Sequence, residues 1–109
     1  MIFISFDDFC EKVKRCKVLT REEEKECALR MKQGDLEARE QLIQSYLPMV
    51  ASRIKRGPSH MQNLGMVLHC LQMLEKQVDK FNFQQDGETF THRLSWGLRQ
   101  AIASYIARN

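Results

Sequence analysis

Apolar residues recur at three- and four-residue spacing along almost the whole chain, and short polar signals interrupt that recurrence at intervals. Such spacing gathers apolar side chains on one face of an α-helix, whereas a strand would need a period of two. Phe6, Phe9, Cys10, Val13 and Cys16 make the first face, opened by Ser5 as a cap with Asp8 three residues on. Thr20-Arg21-Glu22-Glu23 is a capping box, and its acidic run suits the positive end of the helix dipole. That second helix runs to about Gln33, where Gly34 supplies a left-handed stop and Asp35 caps the next helix.

The third pattern takes in Ala38, Leu42, Ile43, Tyr46, Leu47, Val50 and Ile54, with Pro48 inside it. Proline in a helix interior costs roughly 3 kcal/mol, so the pattern predicts a kink, or a break with Pro48 opening a new helix. Gly57-Pro58 ends the segment. Ser59 with Gln62 offers a further capping box for a fourth helix reaching about Phe81, apolar on most sides and therefore central or partner-facing. Asn82 to Thr89 is a polar loop containing the turn signal Asp86-Gly87. Thr91 can cap a last helix with Leu94, Leu98, Ala101, Ile102, Tyr105 and Ile106 inward.

Only five Gly and two Pro occur in 109 residues, which leaves little turn chemistry for strands. The expectation is one all-α domain, a compact bundle of about five helices. Its parts are an N-terminal helix and connector (1–19), a second helix (20–34), a helix kinked near Pro48 (35–57), a central helix (59–81), a loop (82–90) and a final helix (91–109).

The net charge of +3 is too small to name a partner, but its distribution is uneven. Residues 1–52 hold 9 Lys/Arg against 10 Asp/Glu, and residues 53–109 hold 8 against 4. No acidic residue follows Glu88, while Arg93, Arg99 and Arg108 remain. The N-terminus lacks a basic stretch and meets Asp7 and Asp8 at once, unlike a signal peptide, and no apolar run approaches the ~18–20 residues that span a bilayer. A cytoplasmic protein with reduced thiols is expected, with no membrane contact and Cys10, Cys16, Cys27 and Cys70 as small core residues.

Enzyme signals are poor. No Gly-rich phosphate loop, H-E-x-x-H or C-x-x-C occurs, and His60, His69 and His92 are scattered. No catalytic residue, metal or cofactor is expected. The last thirty residues differ: Phe81, Phe83, Phe90, Trp96 and Tyr105 interleave with Lys80, Arg93, Arg99 and Arg108. Cations bind phosphates and aromatic faces stack on unpaired bases, which suits a strand-opened nucleic acid. The competing reading is that the aromatics pack the loop onto the bundle.

Four segments in order resemble the second conserved region of bacterial RNA polymerase sigma factors, the sigma-70 family. LTREEEKECALRMKQGD resembles the stretch before that region and AREQLIQSYLPMVASRIKR its first helix. VDKF matches a near-invariant motif, and GETFTHRLSWGLRQAIASYIA resembles the promoter-reading segment. The resemblance covers nearly the whole chain. It implies a domain that docks on a coiled coil of the largest subunit of the RNA polymerase core and captures bases of the promoter minus-ten element as the duplex opens, so that the DNA partner is partly single-stranded. Within it, Trp96 matches a residue that wedges at the edge of the melted region. Arg99 and Gln100 match an Arg-Gln pair, Gln suiting a bidentate contact with adenine, and Lys80, His92 and Arg93 complete the DNA-binding set.

Departures from the family pattern are as informative. Arg93 stands where the family stacks a Tyr, Gly97 replaces the second Trp of a pair, and His92 replaces a Thr. The polymerase-docking helix loses its acidic and amide residues to Gly65, Leu68, His69 and Leu71, with Glu75 nearby; these five form the expected polymerase or partner interface. Two functions follow. One is a divergent sigma factor binding polymerase and promoter DNA. The other is a sigma-derived interaction module that has lost standard docking and binds a second sigma subunit, a regulator or itself. Sigma factors usually carry a later domain that reads the minus-thirty-five element, and none fits after Asn109, so a longer chain or a second protein is expected to supply it.

Overall fold

The computed structural model describes residues 2–85 and 87–108. Among them are six α-helices and no strand: α1 (Phe6–Val13), α2 (Arg21–Lys32), α3 (Leu36–Ser45), α4 (Leu47–Lys55), α5 (Leu64–Lys80) and α6 (Phe90–Arg108). The architecture is all-α. The sixth helix arises because the 35–57 segment is broken rather than bent. Tyr46 both ends α3 and precedes α4, and Pro48 lies in the first turn of α4, where its missing N–H has no partner to lose.

Local chemistry sets most boundaries. Ser5 accepts from the Asp8 amide at 3.0 Å, and Thr20 and Glu23 make both bonds of a capping box. Gly34 takes φ +95° after α2, a conformation that disfavours a side chain, and Asp35 then caps α3 through the Ala38 amide at 3.1 Å. Two starts differ from the sequence expectation. Ser59–Met61 is a separate 3-10 turn, and α5 begins only at Leu64, capped by Asn63 on the Met66 amide at 3.0 Å. Gln62 is turned back toward α4 instead of toward Ser59: its amide N–H groups donate to the carbonyls of Lys55 and Gly57, closing the end of that helix. The last helix begins at Phe90, with Thr89 rather than Thr91 accepting from the His92 amide at 3.2 Å. α1 stops at Val13, so Cys16 lies beyond it, half-buried. Asp86 of the Asp86-Gly87 turn lies outside the described residues.

α5 is the central helix. Met66, Val67, Cys70, Leu74 and Val78 are all buried along one side of it. α6 runs antiparallel to α5: Gly65 near the start of α5 lies beside Tyr105 near the end of α6, and Gly97 lies beside Met73 and Gln77. α1 packs on α4, α2 on α3, and α4 crosses both α5 and α6. Phe81, Phe83 and Phe90 form a triangle of rings with centroids 5.0–5.2 Å apart, and Tyr46 joins it 4.7 Å from Phe90. This aromatic cluster fixes the loop and the start of α6. Gln84 adds a 2.9 Å bond to the Lys25 carbonyl, and the Gln85 carbonyl accepts from Arg21 at 3.0 Å.

Candidate nucleic-acid interface

The aromatic-basic segment divides by residue. Phe81, Phe83 and Phe90 are core, as burial of about 25 cal/mol per Å² favours for large apolar rings. Trp96 is instead 55% exposed. This tryptophan lies off the buried face of its helix, which is filled by Leu94, Gly97, Leu98 and Ala101.

Beside Trp96, α6 meets α4 in a concavity of about 370 Å³ lined by Arg53, Arg56, His92, Ser95, Trp96 and Arg99. Arg53 donates to the Ser95 hydroxyl at 2.7 Å. The Arg99 guanidinium lies 6.0 Å from the Trp96 ring centroid, a cation–π contact. A second, shallower concavity continues past Arg53, Arg56 and Arg99 toward Gly57, Ala103 and Ile106. Guanidiniums beside an exposed indole can pair with anions and stack a planar ring at once.

Three of the expected DNA-binding residues, His92, Trp96 and Arg99, therefore come together. The other three lie elsewhere. Lys80 and Gln100 line the groove between α5 and α6 with His69, Gln72 and Lys76. Arg93 sits 5.5 Å from the Phe81 ring centroid and pairs with Glu88 at 3.5 Å, so its charge is partly answered within the protein. Arg53 and Arg56 were absent from the expected set. Basic residues in the last turn of a helix are ordinarily explained by the dipole, and only the crossing of α4 with α6 reveals them.

The expected partner interface is uneven. Gly65, Leu68 and Glu75 are exposed on the outer face of α5, Leu68 at 60%. Leu71 is half-buried against the core, and the His69 ring packs 5.5 Å from that of Tyr105. Gly65 serves packing, because a side chain there would collide with the Tyr105 hydroxyl. Burial raises the Cys70 thiol to about 11, the behaviour of an inert core cysteine. Among the described residues no cluster of His, Cys, Asp and Glu is arranged to hold a metal ion, and no helix is long and apolar enough to cross a membrane.

The RNA polymerase sigma factors SigA of Listeria monocytogenes and Listeria innocua are each 34% identical to this chain over 100 residues, which is 91% of the chain and 26% of either relative. SigA of Clostridium acetobutylicum is 34% identical over 109 residues, 95% of the chain and 29% of the relative. The chain thus spans under a third of the curated relatives it matches. No protein-family model matches it, and no solved structure matches it.

Proposed function

From a chain homologous over nearly its whole length to one segment of the sigma-70 family of RNA polymerase sigma factors, we propose a transcription-initiation module that binds the polymerase core in the cytoplasm and contacts promoter minus-ten DNA through α6. The observation that carries the DNA contact is Trp96, open to solvent and flanked by Arg99, on a helix whose exposed positions include no acid. Base stacking on an aromatic ring contributes about 1–3 kcal/mol per base and needs an unpaired base, which suits DNA opening at the minus-ten element. Gln100, one turn after Trp96 on α6, and Lys80, which shares the α5–α6 groove with it, would meet neighbouring duplex on this reading. Binding of a fork-junction promoter probe in the presence of RNA polymerase core tests this. Trp96→Ala and Arg99→Ala each weaken binding on this reading, and unchanged binding in both excludes it.

A second reading is a module that docks on another protein through the outer face of α5. Leu68 favours it, as a large apolar side chain left open where the family pattern has a polar one. Leu68→Asp is the suitable probe, since Leu71→Asp would also disturb the core. Binding of purified polymerase core unchanged by Leu68→Asp, together with lost binding of a second sigma subunit, a regulator or a second copy of the chain, would favour this reading.

A further inference from the structure

The geometry points to α4 as a second element of the nucleic-acid surface: Arg53 and Arg56, with Arg99, form a cradle for successive backbone phosphates of the strand whose unpaired base stacks on Trp96. This rests on the reading that α6 meets DNA. It adds a phosphate site that α6 cannot supply alone and that lies outside the aromatic-basic segment of the sequence.

Three observations carry it. First, Arg53, Arg56 and Arg99 line the concavity that holds Trp96 and also the one adjoining it, so three cations from two helices gather beside the indole. A polyanion with repeated charges answers several grouped cations, and the indole beside them calls for a planar ring attached to that polyanion. A nucleic-acid strand has both features. Second, none of the three arginines forms a salt bridge with a described residue, while Arg30, Arg39 and Arg93 do so with Asp35, Asp79 and Glu88. With no close carboxylate among the described residues, their grouped charge favours an arriving anion. Third, Arg53 is held by a neutral partner. The Ser95 hydroxyl accepts one N–H at 2.7 Å and leaves the charge and the remaining donors of the guanidinium for a ligand. Aiming the fork beforehand lowers the ordering cost of a bidentate phosphate contact.

The test is the salt dependence of fork-junction probe binding by the full chain with RNA polymerase core, wild type against Arg53→Gln/Arg56→Gln. Each phosphate contact contributes about 0.7–0.9 to the slope of log affinity against log salt. The double variant should lower that slope by about 1.4–1.8, weaken binding roughly tenfold or more at low salt, and do so regardless of probe sequence. An unchanged slope overturns the cradle and leaves the α6 reading standing, whereas a wild-type chain that binds no probe overturns both. If the double variant does not fold, neutral methylphosphonate linkages placed singly along the unpaired strand decide with wild-type protein. At each of two adjacent positions beside the stacked base the slope should fall by about 0.7–0.9, and no loss at any position overturns the proposal.

Discussion

The guanidinium of Arg53 donates to the hydroxyl of Ser95 at 2.7 Å, joining α4 to α6 across 42 residues of sequence. A neutral hydrogen bond of this kind contributes about 0.5–1.5 kcal/mol, and one to a charged group about 1.5–3 kcal/mol in well-shielded sites. Both partners here are only half-buried, so Ser95→Ala should cost about 1 kcal/mol or less in a denaturant titration. Probe binding should also weaken by a few fold, because the freed Arg53 must be ordered again on contact. Equal binding by wild type and Ser95→Ala would mean that the bond is structural only.

The capping signals at Thr20, Gly34 and Asp35 were legible in the sequence because each acts within four residues. The start of α5 was not. Ser59 and Asn63 both carry capping side chains, and the choice between them depends on Gln62, whose amide is taken by carbonyls of the preceding helix. The α6 start moved for a similar reason: Phe90 is fixed among Phe81, Phe83 and Tyr46, which leaves Thr89 as the cap. In the candidate site, Trp96 and Arg99 announce themselves by residue type. Arg53 and Arg56 do not, since their relation to α6 is a crossing of helices with no periodic trace in the chain.

Arg39 and Asp79 form a forked pair between α3 and α5, with N–O distances of 2.8 and 3.0 Å. The Arg39 guanidinium holds the Asp79 carboxyl below its ordinary value of 3.8. A depressed folded-state value means that the pair stabilises the fold above pH ~3.8 and that this contribution is lost as pH falls below it. With Asp79 half exposed, solvent screening limits the contribution to about 0.2–1 kcal/mol. Asp79→Asn should therefore lower stability by that amount at pH 7, and the difference from wild type should shrink toward pH 3. A difference that persists at pH 3 would point to packing, not charge.

Cys10, Cys27 and Cys70 are buried and Cys16 is half-buried, all four as free thiols. The thiolate is the reactive form, and burial raises the thiols of Cys10, Cys16 and Cys70, the last to about 11. Alkylation of the native protein at pH 8 should label Cys16 first and Cys70 last, with Cys70 modified only after global opening. Peptide mapping over time checks the order, and early labelling of Cys70 would require local opening of the α5–α6 contact.

Gly97 lies where α6 meets α5, and a side chain built on it would collide with the Gln77 amide and come within 2.9 Å of the Met73 sulfur. Two effects oppose each other on substitution. Alanine gains about 1 kcal/mol of helix propensity over glycine. Against this, the Gln77 amide must move, although as the end of a flexible side chain it can do so cheaply. Gly97→Ala should therefore change stability by less than about 1 kcal/mol. Gly97→Val has no such escape: its branched side chain adds volume against both neighbours, and overpacking of this kind costs about 1–3 kcal/mol. Thermal unfolding of the two variants separates the effects. If valine were tolerated as well as alanine, α6 would have to shift away from α5, carrying Trp96 and Arg99 away from Arg53.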